Sequence, residues 1–236
     1  MEKDNNVKKS VYVLLVLTLL LTACQKKSTY SEAKKNNSIQ TDKQLPHKEV
    51  EQTEILHNGS YYYIKGKYDD IIIVNKRYPL AKSYHPGEDP KAKEAFEQLK
   101  QAMARQGFAL SDHYSGFRSY EKQEELYATY VNQDGQENAD RYSARPGYSE
   151  HQTGLAFDII DSQGHLLEEE QASAWLLAHA PDYGFIVRYL KGQEASTGYQ
   201  AESWHIRYIG KEAADIAKSG KTLEAYFHLK GGNYPN

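Results

Sequence analysis

Apolar residues recur along this chain with two different periods, and each change of period marks an element. From Pro90 to Gln106 they stand at Ala92, Ala95, Phe96, Leu99 and Met103, the spacing of one helical face with a proline in its first turn. Tyr120 to Val131 predicts a second helix with Leu126, Tyr127 and Tyr130 on one side, and Glu168 to His179 a third that stops near Pro181. Lys211 to Ser219 predicts a late helix closed by Gly220. Strands are predicted where β-branched and aromatic residues form short runs: Tyr61 to Ile64, Asp70 to Asn75, Leu155 to Ile160, Tyr183 to Tyr189 and Trp204 to Ile209. Helices lead and strands cluster in the second half. The expected class is therefore α+β, a small and mostly antiparallel sheet with helices packed mainly on one side.

The first 54 residues follow neither period. Lys8 and Lys9 precede an uncharged apolar run from Val11 to Ala23, whose 13 residues are too few to span a bilayer about 30 Å thick. A basic front and a short apolar middle read as a secretory signal over residues 1–23. The run ends in Leu21-Thr22-Ala23-Cys24, which resembles the bacterial lipobox, where the cysteine is diacylated and becomes the mature N-terminus. Two acyl chains suffice for stable attachment, so the expected location is the extracytoplasmic face of the cell membrane, through a lipid on Cys24. Residues 24–54 are polar, with six lysines and five acids after Cys24, and read as a flexible tether. The expected folded domain is 55–236.

Composition narrows the function. With 29 Lys and Arg against 32 Asp and Glu, the net charge is −3, which excludes a strongly basic nucleic-acid binder; the domain is expected to be a monomer with no nucleic-acid partner. The only cysteine stands in the lipobox, which excludes a disulfide scaffold or a cysteine-based zinc finger. The chain holds 20 tyrosines, a side chain suited to peptide or carbohydrate contacts, although most such rings are half-buried core.

Chemistry concentrates in two words. In Ser149-Glu150-His151-Gln152-Thr153-Gly154-Leu155-Ala156-Phe157-Asp158 a histidine precedes an aspartate by seven positions across a glycine; Glu202-Ser203-Trp204-His205 follows. Two histidines and one aspartate make a ligand set suited to tetrahedral Zn2+ with a fourth position open, here placed on the sheet. Glu202, three residues before His205, is placed to take a proton. Arg118 can grip a carboxylate through two hydrogen bonds, and Arg207, beside His205, is the competing arginine. Gln123 is a candidate helper on the substrate. Glu150 reads either as a residue that supports the ligands from behind or as an exposed one, rather than as the base, and Trp204 as packing beneath the site. The remaining histidines, His85 and His113 among them, lack ligand-like spacing.

His151-x6-Asp158 with Glu202-x-Trp204-His205, flanked by Ser115-Gly116-Phe117-Arg118-Ser119 and Gly147-Tyr148, resembles the zinc D-alanyl-D-alanine carboxypeptidases of the VanY type, peptidase family M15, subfamily B. The likeness covers about 115 to 208. A narrower likeness is to the LD-carboxypeptidase lipoproteins of pneumococcal type. The resemblance implies zinc on His151, Asp158 and His205, Glu202 as catalytic base, and Arg118 and Ser149 on the substrate. It implies L,D-carboxypeptidase activity, removal of the C-terminal D-Ala from peptidoglycan tetrapeptide stems. Three alternatives stay open at this point: D,D-carboxypeptidase action on D-Ala-D-Ala pentapeptides, an endopeptidase of the same superfamily, and a non-catalytic peptidoglycan-binding lipoprotein.

Overall fold

Asp89 starts the first long helix. Its carboxylate accepts from the backbone N–H groups of Lys91 and Ala92 at 3.0 and 2.9 Å, and Pro90 supplies the fixed φ of the first turn. The helix so begun, α1 (Pro90–Arg105), buries Ala92, Phe96, Leu99 and Met103, the face that the periodicity predicts. These residues belong to a computed structural model that describes residues 53–235. The signal segment, Cys24 and the tether up to residue 52 lie outside the described residues.

Two antiparallel sheets stand where one was expected. The first joins β1 (Leu56–His57), β2 (Tyr62–Lys65) and β3 (Asp70–Ile73) in that order. The second has the order β4-β5-β7-β6, with β4 at Leu110–Ser115, β5 at Ala156–Asp161, β6 at Phe185–Tyr189 and β7 at Glu202–Tyr208. Sequence reasoning passed over β4. It is an edge strand with no fully buried residue, so its sequence, LSDHYS, carries no apolar alternation to detect. The class remains α+β.

Helix α2 (Tyr120–Asp134) runs one turn past its expected end, to Gly135, and buries only Gln123, while Leu126 and Tyr130 face a cavity rather than the core. The polar α3 (Gln136–Tyr142) follows it. Helix α4 (Glu170–His179) continues into a tight turn at Ala180–Tyr183. A short helix, α5 (Glu194–Thr197), precedes β7, and α6 (Glu212–Ser219) and α7 (Leu223–Tyr226) close the chain.

The strand period sorts side chains between the two faces of the second sheet. Phe157 and Ile159 of β5, Phe185 of β6 and Ile206 of β7 pack against Phe96, Leu99 and Met103 of α1 and Leu176 of α4. Phe96 stacks on Phe157 with ring centroids 4.6 Å apart. Asp158, His205 and Arg207 take the alternate positions and face the other way. Part of that second face is covered: Ile186 and Ile209 pack with Ile64, Ile71 and Ile73 of the first sheet and with Ala213, Ile216 and Leu223. What stays open holds the site.

Gly154 closes the turn that carries His151. Its φ is 72°, and a Cβ there would stand 1.9 Å from the carbonyl oxygen of Gly87. Gly164 shares the positive φ, at 86°, with nothing within 4 Å. Gly164→Ala should therefore cost about 1–3 kcal/mol from backbone strain. Gly154→Ala should cost clearly more and weaken metal uptake, because the chain must shift between His151 and Asp158. Urea denaturation of both variants checks this; equal losses would refute the steric account.

Candidate metal centre and substrate cavity

Backbone pairing brings the predicted ligands together. β5 and β7 are antiparallel neighbours with Asp158 directly opposite His205, and Asp158 also pairs with Ser115 of β4. His151 comes from the tight turn Glu150–Thr153 that leads into β5. Its Nδ1–H donates to the carbonyl of Gly116 at 2.8 Å, which turns Nε2 toward Asp158 Oδ2, 3.2 Å away. Asp158 Oδ1 lies 3.0 Å from Nδ1 of His205. One donor atom from each of the three residues lies within 4.8 Å of the others, and all three side chains are buried. Two imidazole nitrogens and a carboxylate converging on one point, with a cavity on the remaining side, fit a zinc ion with one open position.

Glu202 joins them through an irregularity. Residues three apart on a regular strand point to opposite faces. The pairing of β6 with β7 slips between Val187↔Ile206 and Tyr189↔Glu202, so four steps along β7 match two along β6. The bulged strand swings the Glu202 carboxylate to 3.8 Å from His205 Nδ1.

The electrostatics divide the acids. Burial pushes Glu202 up to about 8, with His205 opposing and the nearby Asp158 charge adding. Burial acts on Asp158 in the same direction, but the charge and hydrogen bonds of His151 and His205 outweigh it and hold Asp158 well below the usual carboxylate range. Burial lowers His151. It would lower His205 too, but hydrogen bonds to Asp158 and Glu150 raise that ring to about 10.

Of the two places expected for Glu150, behind the ligands or exposed to solvent, it takes the first. It is 2% exposed, and its carboxylate accepts from His205 Nε2 at 3.2 Å, Arg188 Nε at 2.8 Å and Arg207 Nη1 at 3.0 Å. Arg207 is thereby removed as a substrate arginine: it is fully buried, and its Nη2 donates to the carbonyl of Ile72 at 2.7 Å. Arg188, which sequence reasoning did not select, clamps Glu224 as well. Its only sequence signal was a charge within the apolar run Phe185-Ile186-Val187-Arg188-Tyr189.

Arg118 stands at the wall of a cavity of about 300 Å³ that opens onto the ligands. Gln123 accepts from its Nη1 at 2.9 Å, and Ser115 Oγ accepts from its Nη2 at 3.0 Å; Asp158 Oδ2 lies 3.8 Å away. The guanidinium keeps further donors for a ligand. Gln123 has a different part from the one expected of it. Its amide nitrogen donates to the Ala144 carbonyl at 2.6 Å and to Ser143 Oγ at 3.3 Å, so both ends are committed and it holds Arg118 in place. Ser149 is buried against the same cavity, whose walls include Tyr130, Tyr142, Tyr199 and Trp204. Trp204 also packs on the core, as its position in β7 implies. His85 stacks edge-on against Phe117 and is not among the three ligand candidates.

The sequence profile of the VanY family, described as D-alanyl-D-alanine carboxypeptidase, matches residues 87–211, more than half of the chain. The chain belongs to the VanY family. An L,D-carboxypeptidase of Streptococcus pneumoniae, DacB, is 62% identical to this VanY-family chain with a TM-score of 0.76, over 78% of this chain and 100% of that one. A variant of a VanY D,D-pentapeptidase from a VanB-type resistance cassette, solved with Zn(II), is 31% identical with a TM-score of 0.58, over 66% of this chain and 97% of that one. YodJ of Bacillus subtilis (strain 168) is 36% identical over 182 residues, 66% of each chain. The match to the D-alanyl-D-alanine carboxypeptidase of Enterococcus faecium, 29% identical, takes in 73% of this chain and 59% of the relative.

A carboxyl group whose folded-state pKa lies above its unfolded value loses stability as pH rises between the two. For Glu202 that window runs from about 4.5 to about 8. Metal-free Glu202→Gln should therefore match wild type in stability near pH 4 and exceed it increasingly toward pH 8, by a few kcal/mol at most. Thermal unfolding with chelator present across that range is the check; a difference that ignores pH would show that burial does not set this group's proton affinity.

Proposed function

We propose that this chain is a zinc-dependent L,D-carboxypeptidase that removes the C-terminal D-Ala from peptidoglycan tetrapeptide stems. The observation that carries the reading is the meeting, in one cavity, of a His151–Asp158–His205 ligand set, a carboxyl group at Glu202 and a guanidinium at Arg118. Each answers one requirement of exopeptidase chemistry. The preference for the L,D linkage is supported by the 62% identity to the pneumococcal L,D-carboxypeptidase.

His151, Asp158 and His205 would hold the zinc. Bound there, it would supply Lewis acidity for the scissile carbonyl and for water, and would favour the ionised form of nearby Glu202. Glu202 takes a proton from the attacking water at its carboxylate and delivers it to the leaving D-Ala nitrogen. Arg118, held by Gln123 and Ser115, binds the terminal carboxylate through its free donors and sets the scissile bond over Glu202. Ser149 lines the same wall and contributes a hydroxyl toward the substrate. Tyr130, Tyr142 and Tyr199 line the cavity around the substrate position. An endopeptidase has no need of a guanidinium placed for a terminal carboxylate, and a pure binding module has no need of Glu202.

Defined tetrapeptide and pentapeptide stems incubated with the zinc-loaded protein should release D-Ala mainly from the tetrapeptide, as read by mass spectrometry. Preferential cleavage of the pentapeptide would replace L,D by D,D specificity. Glu202→Gln should retain zinc and lose at least ~10²-fold in turnover; no turnover by wild type would leave the binding lipoprotein. Arg118→Ala should lower kcat/KM by roughly 30-fold to several thousand-fold, the equivalent of about 2–5 kcal/mol. An amidated tetrapeptide should show a much smaller penalty from the same substitution, and losses that simply add would separate Arg118 from the carboxylate.

The location belongs to the same proposal: an extracytoplasmic face, with a lipid on Cys24 and a polar tether to the domain. Leu21-Thr22-Ala23-Cys24 after a basic, apolar leader supports it. Cys24→Ser should release the protein from the membrane or block its processing, followed by fractionation; unchanged retention would point to an uncleaved anchor.

A further inference from the structure

The two histidines of the site are held in opposite ways. His151 donates from Nδ1 to a backbone carbonyl and presents Nε2. His205 does the reverse: Nε2 meets the carboxylate of Glu150 at 3.2 Å, and Nδ1 faces Asp158 at 3.0 Å and Glu202 at 3.8 Å. Its ring lies between Tyr189, at a centroid distance of 5.0 Å, and His151, also at 5.0 Å, so it has little room to flip.

We infer that Glu150 is the positioning residue that fixes the tautomer of His205, so that Nδ1 is the nitrogen offered to the metal. The inference rests on the zinc reading above and deepens it. An ionised carboxylate only accepts hydrogen bonds, so a ring beside Glu150 must carry its proton on Nε2 and leave Nδ1 as the lone pair. Glu150 cannot turn away. Its Oε1 accepts from Arg188 and Arg207, and all three side chains are 1% exposed. Arg188 is anchored by Glu224, which in turn accepts from Asn75 Nδ2 at 3.0 Å; Arg207 is anchored on the Ile72 carbonyl. The orientation of one metal ligand is thus set by the packing of β3, β6 and α7 around one carboxylate.

Glutamine at position 150 has the same shape and the wrong hydrogen-bond pattern. Both arginines only donate, so the amide must turn its oxygen to them and its NH2 to His205. The NH2 then donates to Nε2 and drives the ring proton to Nδ1, the atom the metal needs. Restoring the contact to Nε2–H would instead set NH2 against two guanidinium groups. Either arrangement works against metal uptake.

Zinc affinity is measured by chelator competition for wild type and Glu150→Gln, with folding followed by circular dichroism and urea denaturation. The nitrogen bound by zinc in wild type is read from 15N chemical shifts of the His205 ring. The expected result is a folded Glu150→Gln with zinc affinity down ~10–100-fold, and wild-type zinc on Nδ1 with a protonated Nε2. Unchanged affinity in a folded Glu150→Gln, or zinc on Nε2 of His205 in wild type, overturns the inference. Should Glu150→Gln fail to fold, the ring spectrum of wild type decides alone. A wild type that takes up no zinc overturns the metal reading and this inference together, whereas tight wild-type zinc with an indifferent Glu150→Gln overturns this inference only.

Discussion

A carboxylate without access to water holds the molecule together at its centre. Glu150 is buried with Arg188 and Arg207, and Arg188 shares its second edge with Glu224. Each charge taken from water costs several kcal/mol, recovered only when partners and hydrogen bonds are well placed. Here two acids face two guanidinium groups, so the cluster is neutral and its members are multiply bonded. Breaking such a set by removing one partner typically costs ~3–5 kcal/mol. The cluster ties the turn before β5 to β6, β7, α7 and the first sheet, the elements that must agree before the site exists.

Within a few ångströms the same burial has opposite outcomes. Asp158 and Glu150 have cations or imidazoles on more than one side and stay ionised despite desolvation. Glu202 is desolvated with the anions Asp158 and Glu150 nearby, His205 and Arg118 offset this only in part, and its proton is held to about pH 8. This division separates a ligand, a positioning group and a proton carrier among residues of one chemical type. Keeping Glu202 dry costs stability in the metal-free protein above pH 4.5. That cost is a consequence of burying a reactive carboxyl group in the wall of the substrate cavity.

The sheet supplies the geometry by two departures from regularity. Alternation along β5 and β7 sends the apolar residues to α1 and α4 and the ligands to the open face. The slip between β6 and β7 then adds Glu202 to that face, which regular pairing would have denied it. Gly154, with its left-handed φ and its contact with Gly87, lets His151 reach the strand end from outside the sheet.

Much of this was legible in the linear chain. The period of α1 and the β-branched runs of β3 and β5 locate the core helix and the central strands, because local spacing fixes which side chains share a face; the His151-x6-Asp158 and Glu202-x-Trp204-His205 words name the site candidates by their residue types and their resemblance, not the slip that brings Glu202 to them. Strand β4 and helix α3 were not legible, since edge and surface elements need no apolar pattern. The roles of Arg207 and Gln123 were not either: both read as candidates for the substrate until packing showed every relevant donor of the first, and both ends of the second, bound within the protein. Glu150 and Arg188 show the limit most clearly. A buried charge and an exposed one look alike in sequence, because what distinguishes them is the identity of neighbours 36 to 57 positions away, and only the folded chain brings those together.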